Sequence, residues 1–407
     1  MKREGLLSVA EARERILAGA APFHPAESVG LTQALHRILA SDLSANLTQP
    51  PCAVSAMDGY AVRSADLASL PARLKLVGES AAGHGFDGRV GPLETVRIFT
   101  GAPVPDGADA ILMQEYASAE DADVAPLRTV ARGQFVRARG LDFTKGEVLL
   151  RAGTRLGPSQ IALAAAMNHP KIPVTRRPRV AILATGDELE PPGTELSSRQ
   201  IIACNSFAVA AIVATAGGEP IDLGIARDEA GAVEAGIRAA RDAGADVLVT
   251  LGGASVGDHD LVKKALASEG MALDFWRVAM RPGKPLIHGR LGSMAILGLP
   301  GNPVSAIITS MLFLAPLVRA LAGDAKARIG QCEPAVLGAF VRANDSREDY
   351  LRGSLAVSAD ALPVATPFEA QDSSLMGLLG RADCLIIRPP FALEAAAGEH
   401  CQILRAP

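Results

Sequence analysis

Arg179-Val-Ala-Ile-Leu-Ala-Thr185, followed by Gly186-Asp-Glu188, decides the fold. An unbroken apolar run ending in a glycine loop marks a strand buried on both faces of a parallel sheet. Downstream the pattern alternates. A helix is expected at about Ser206–Ala216, a strand near Ile221–Ile225 and a helix at Glu229–Ala243. A second buried strand at Asp246–Leu251, a helix at Leu261–Ser268 and a strand at Leu273–Val278 continue it. Two apolar runs, Pro285–His288 and Ala295–Leu299, lead to a helix from Val304. Strand–helix alternation over 177–323 predicts a doubly wound α/β domain.

The flanks read differently. Val9 to Leu17 and Leu31 to Leu39 read as helical until Gln49-Pro50-Pro51 breaks the pattern. Short β-like runs then lie between glycines and prolines, at Leu74–Val77, Thr95–Phe99 and Ala110–Met113, and imply a β-rich insert. A helix is expected at Ser159–Met167. After the α/β segment come Val336–Val341, Tyr350–Val357, Cys384–Arg388 and Gln402–Leu404, which suggest a C-terminal β-barrel.

Composition narrows the function classes. Lys+Arg is 40 and Asp+Glu 44, a net charge of −4. A broad nucleic-acid or membrane-surface binder needs a basic excess. Aromatics are 4% of the chain, too few for a base-stacking platform. The five cysteines form no CxxC, against a disulfide scaffold or structural zinc. The start of the chain runs into a charged helical stretch rather than an apolar signal core, so a cytoplasmic location is expected. Charge-free windows at 200–218 and 291–318 are expected to be buried helices, not membrane spans. The 40 glycines and 27 prolines point to many shaped loops.

In open α/β sheets, ligands sit beyond the carboxyl ends of the strands. Three loops leave such ends: Thr185–Glu188, Gly252–Asp260 and Leu299–Ser305. Gly252 and Gly253 allow close backbone approach, Ser255 adds a hydroxyl, and Ser305 lies in the first turn of a helix entered at Pro303. Helix starts of this kind bind oxyanions. Arg277, Arg281 and Lys284 lie between them, and Glu188, Asp258 and Asp260 are expected at the same rim. Taken singly, the acids are ordinary helix caps and the cations a solvated face. Taken together, they point to an oxyanionic substrate handled with Mg²⁺. Gly83-His-Gly-Phe-Asp-Gly88 matches a dinucleotide fingerprint, but Gly91-Pro92 and a β-like run follow it where a helix is required. No P-loop sequence is present. In the insert, Ser55–Val62 and Arg97–Pro105 read as turn chemistry.

The set Ser55–Val62, Arg97–Pro105, Thr185–Leu189, Gly252–Asp260, Arg281–Pro285 and Leu299–Ser305 runs in order along the whole chain. It resembles the MoeA family of molybdopterin molybdenumtransferases, to which the E domain of gephyrin and its plant counterpart belong. The resemblance implies an elongated homodimer with four domains per subunit. These are a discontinuous domain at 1–45 and 140–176, a β-rich insert at 46–139, an α/β (MogA-like) molybdopterin-binding domain at 177–325 and a β-barrel at 326–407. It implies a site at the subunit interface, where molybdate is inserted into adenylylated molybdopterin and AMP is released with help from Mg²⁺.

The residues carried over by resemblance fall into three groups. Asp58, Thr100, Asp142, Glu188, Asp228 and Asp260 would be catalytic. Glu188, Asp228 and Asp260 would hold the metal. Ser55, Gly252, Gly253, Ser255, Arg277, Arg281, Lys284, Pro300, Pro303, Ser305, Arg352 and Ser373 would bind substrate. Arg277 and Arg281 stand where some members carry Lys, and an Arg fork is not a point charge. Implied partners are a second copy of the chain, a molybdopterin adenylyltransferase and molybdoenzyme maturation proteins, with no nucleic acid or membrane. Two other readings are a molybdopterin adenylyltransferase, whose fold the α/β domain resembles, and a non-enzymatic scaffold dimer. The β insert and C-terminal domain favour insertion over adenylylation, and the chain has no long disordered linker of the kind a scaffold would need.

Overall fold

The computed structural model describes residues 6–20, 26–253, 261–327, 332–356 and 362–406. Its contacts divide the chain into two compact units. One comprises Met1–Ser41, Ala152–Gly157 and Pro173–Pro407; the other comprises Asp42–Arg151 and Pro158–Ile172. The expected discontinuous domain at 1–45 and 140–176 therefore has segments in both units.

The first unit is built on a six-stranded sheet. Its order is Glu219–Ala226, Arg179–Thr185, Val247–Leu251, Met294–Leu299, Pro285–Leu291 and Ala272–Arg277. The first four strands are parallel and the last two antiparallel. Across the sheet the parallel run thus ends at the Met294–Leu299 strand, for a local reason. Only Gly292-Ser293 joins Leu291 to Met294, with Gly292 at φ 62°, and a hairpin that short cannot make a parallel crossover.

Side-chain alternation sends each strand to two cores. Val180, Ile182, Val247, Val249 and Leu297 pack with helices Val9–Ala18, Asn205–Thr215 and Pro303–Thr309. Ala181, Leu183, Leu248 and Ile296 pack with helices Ala230–Asp242 and Leu261–Ser268. Helix Val9–Ala18 starts at a capping box. The Ser8 hydroxyl accepts from the Glu11 N–H, and the Glu11 carboxylate accepts from the Ser8 N–H.

Pro303–Leu321 is one helix of 19 residues, long and apolar enough to cross a membrane by length and composition. Its Val304, Ile308, Phe313, Leu317 and Val318 are in the core, so burial against the sheet accounts for its apolarity. At about 1.5–3 kcal/mol for each fully buried large aliphatic side chain, this face is a main source of cohesion. A π turn at Ser310–Leu314 comes just before Pro316, which has no N–H and crowds the carbonyl four residues back. The same unit holds a closed five-stranded barrel. Glu348–Ala356 pairs with Val364–Pro367, which pairs with Glu333–Leu337, then His400–Arg405, then Cys384–Arg388, which returns to Glu348–Ala356. The expected α/β plus β architecture is therefore observed.

The expected helix at Leu31–Leu39 does not form. Only Leu31–Gln33 makes a 3₁₀ turn, and His36 has φ 62°, which ends any right-handed helix. The His36 and Leu39 N–H groups donate instead to the carbonyls of Leu156 and Thr154, a neighbouring segment, at 2.9 Å each.

The second unit carries a six-stranded sheet ordered Ala110–Met113, Gly59–Val62, Glu94–Ile98, Leu74–Ser80, Asp123–Pro126 and Ala117–Glu120. Leu67, Leu74 and Leu112 fill one face, and Val96, Ile98 and Ile111 the other. A helix at Pro158–Ala166 completes it.

Candidate functional site

The parallel strands end level. Thr185 is in register with Ala226, Ala184 with Leu251, and Leu251 with Leu299. The loops that follow therefore leave from one edge and enclose a cleft of about 910 Å³. Thr185, Gly186, Gly252 and Gly253 line its floor. Glu188 and Asp228 lie on one side. Pro300, Asn302, Pro303, Ser305 and Ser374 line the start of the long helix, with Asn205 and Ser206 beside them.

The glycines make this floor possible. Gly252 has φ 96°, and a Cβ there would lie 2.7 Å from the Thr185 carbonyl oxygen. Gly253 has φ 64°, and a Cβ there would run into Val262. On the helix side, the Asn302 amide donates to the Ser373 hydroxyl at 2.9 Å. The Val304 N–H donates to the Ser373 carbonyl at 3.2 Å, tying the barrel loop to the helix start. Asn205 donates to the Gly301 carbonyl at 2.7 Å and fixes the Pro300–Pro303 turn. Asn205 and Asn302 were not among the residues expected from the sequence, whereas a serine of Ser373-Ser374 was, and Ser374 is the one that lines the cleft. Asn205 immediately precedes the helix expected at Ser206–Ala216, and that position was the signal available for it.

The cations are placed differently from one another. Arg281 makes a fork to Asp349, with Nε and Nη2 at 2.9 and 3.0 Å from its two oxygens. Asp345 lies 3.8 Å away, and the neighbouring Arg347 holds its carboxyl down at about 2. Arg277 stacks its guanidinium on Trp276 at 3.6 Å, and its buried Nε has no hydrogen-bond partner among the described residues. Lys284 is exposed and makes no ion pair among the described residues; the next residue, Pro285, lines the cleft. Arg352 is 1% exposed. Its Nη1 donates to the Asp372 carbonyl at 2.9 Å and its N–H to Gln371 at 3.0 Å. It shapes the loop that carries Ser373 and Ser374.

Among the described residues, no three His, Cys, Asp or Glu side chains cluster as a metal site. Glu188 and Asp228 share the cleft; Ser255, Asp258 and Asp260 lie outside the described residues.

The second unit holds the other expected residues. Asp58 and Thr100 face each other across a turn. Asp58 Oδ1 accepts from the Thr100 N–H at 2.7 Å and from its hydroxyl at 2.8 Å. These bonds, the backbone one first, hold the Asp58 carboxyl below the usual aspartate value, with Arg97 adding to the effect. Arg97 lies 5.1 and 5.0 Å from the rings of Tyr60 and Phe99 and donates to the Gly59 carbonyl. Ser55 is fully buried, and its hydroxyl donates to the Met57 carbonyl at 2.6 Å, so it serves the turn. Asp142 is exposed in the loop whose N–H groups bond to the Gln49 carbonyl.

Glycine loops, two carboxylates and a hydroxyl-bearing helix start thus line one cleft at the ends of the parallel strands, the place where α/β enzymes bind their ligands. Three family profiles match in order: the MoeA N-terminal region (domain I and II) over residues 7–168, a probable molybdopterin binding domain over 181–320, and the MoeA C-terminal region (domain IV) over 334–405. The chain belongs to the MoeA family. The molybdopterin molybdenumtransferase of a Nostoc species is 37% identical over 394 residues, covering 94% of this chain and 89% of that protein. The Haemophilus influenzae protein of the same name is 33% identical over 399 residues, covering 98% of each. A solved MoeA structure from Pyrococcus horikoshii superposes with a TM-score of 0.85 at 26% identity, covering 98% of this chain and 99% of that one.

Proposed function

We propose that the protein is a molybdopterin molybdenumtransferase that places molybdate on adenylylated molybdopterin and releases AMP. The observation that carries this reading is the cleft at the strand ends, which Glu188, Asp228 and Ser305 at the helix start line together. A dianion such as molybdate suits the positive end of a 19-residue helix with hydroxyls at its first turn. The reaction is tested by mixing the purified protein with adenylylated molybdopterin, molybdate and Mg²⁺ and following AMP. No molybdate-dependent AMP release would overturn the reading.

The donor set fits Mg²⁺ in kind, because that ion keeps several waters and takes one or two carboxylates. Glu188 and Asp228 would hold it, with Asp260 as the third expected ligand. When bound, it would offset charge on the phosphate of the AMP leaving group. The protein's own groups do the rest. Gly252 and Gly253 admit the substrate close to the backbone. The Asn302–Ser373 bond fixes the barrel loop at the helix start, and Lys284 supplies a positive charge that makes no ion pair among the described residues. A cytoplasmic homodimer, in which the second subunit supplies the Asp58 turn to this cleft, completes the reading.

Lys284→Ala is expected to raise the molybdate concentration needed for half-maximal AMP release, since its exposed charge makes no ion pair among the described residues. An unchanged molybdate saturation curve removes Lys284 from the site.

Thr100→Val keeps the backbone bond to Asp58 but loses the hydroxyl bond, so the Asp58 carboxyl titrates closer to the ordinary aspartate value. A depressed carboxyl favours the folded state above its ordinary value, and that contribution is lost as pH falls through the depressed one. The acid limb of the pH–rate profile should therefore move to higher pH in the variant. A limb that stays in place would separate Asp58 ionisation from activity.

A further inference from the structure

Arg227 adjoins Asp228 in sequence, but its guanidinium crosses to the preceding strand's loop. Nη1 donates to the Asp187 carbonyl at 2.7 Å and Nη2 to the Glu190 carboxylate at 3.0 Å. Those two acceptors flank Glu188 on either side. A return tie runs the other way, from the Asp228 N–H to Asp187 Oδ1 at 3.0 Å. The Glu190 carboxylate also accepts from Gln200 at 2.7 Å. The Glu188 carbonyl accepts from the Ile201 N–H at 2.8 Å, beside a short parallel pairing of Leu189–Glu190 with Ile201–Ile202. The two loops leave neighbouring parallel strands whose ends, Thr185 and Ala226, are in register. Within these bonds, Arg227 is the side chain that grips the Glu188 loop from the Asp228 loop.

We infer that Arg227 is a positioning residue that fixes the Glu188 loop relative to the Asp228 loop on one side of the cleft, and so tunes the affinity of the two carboxylates for a divalent cation. This rests on the reading that the two acids hold Mg²⁺. The two acceptors, one a carbonyl and one a carboxylate, suit a planar fork; a lysine point charge could satisfy only one of them well. Groups that orient metal ligands without touching the metal change affinity about 10–100-fold when lost. Arg227 is half exposed, with its side chain at 48%, so its removal should leave the fold standing.

The experiment is a titration of the full-length protein with Mn²⁺, used as a paramagnetic substitute for Mg²⁺. Binding is followed by calorimetry and by the loss of the free-ion resonance signal, with melting curves for every variant. Arg227→Ala is expected to weaken Mn²⁺ binding about tenfold or more with little change in melting temperature, and Arg227→Lys to recover only part of the loss. Glu188→Gln is the reference and should also weaken binding. If the unaltered protein takes up no Mn²⁺, or Glu188→Gln binds it equally well, the metal reading fails and the inference falls with it. If Glu188→Gln weakens binding but both Arg227 variants bind normally, the metal reading stands and the positioning role is overturned. Should Arg227→Ala fail to fold, Glu190→Gln breaks the same ion pair from the other side. Its weaker Mn²⁺ binding would support the inference, and normal binding would overturn it.

Discussion

Asp58→Ala and Glu188→Ala should each lower molybdate-dependent AMP release by about 100-fold or more while the protein stays folded, the scale expected when an electrostatic group at the reacting centre is removed. Both side chains are exposed and contribute little to packing. Asp58 is fastened through Oδ1 to both polar groups of Thr100, and its depressed pKa keeps it ionised at neutral pH. It can therefore present a fixed negative charge or an acceptor, but not a proton. Glu188 lines the cleft beside Gly186, where a Cβ would meet its carboxylate at 2.6 Å. The two acids lie in different compact units of the chain, so loss of activity in both variants would join two separate turns to one reaction. Circular dichroism and melting curves establish folding, and AMP release is the readout. Near-normal turnover in either folded variant overturns that residue's assignment.

Asp324→Ala should destabilise the protein by about 3–5 kcal/mol, the cost of leaving a buried charge without its partner. The Asp324 side chain is 2% exposed. It accepts from Arg319 Nε at 2.7 Å and from the Lys326 N–H at 2.8 Å. These bonds close the end of the long helix whose other end forms the cleft. Loss of the aspartate strands the guanidinium of Arg319, only 13% exposed, in the same place. Chemical denaturation measures the change. A loss below about 1 kcal/mol, the range of surface pairs, would show the pair to be solvated.

Much of the fold was legible because burial leaves a signature in local order. Arg179–Thr185 and Leu261–Ser268 form with the expected bounds, and the other α/β elements differ by a few residues at their ends. The glycine loops were legible too, since Gly252 and Gly253 adopt left-handed conformations that other residues resist. Leu31–Leu39 misled because apolar spacing describes which side chains are buried, not where their N–H groups bond. There the partners are the carbonyls of Leu156 and Thr154, far along the chain.

The site divides along the same line. The sequence by itself determined the class of sheet, the edge where the loops gather and, through motifs spread along the chain, the family. Those features depend on periodicity, turn residues and short-range order, which one chain segment carries alone. Tertiary structure alone decided which charges are available. It pairs Arg281 with Asp349, buries Arg352 behind Gln371 and Asp372, leaves Lys284 exposed without an ion pair among the described residues, and turns Arg227 from a neighbour of one acid into a brace for another. Coulombic and hydrogen-bond partners are set by distance in space, and residues 68 positions apart carry no local trace of having met.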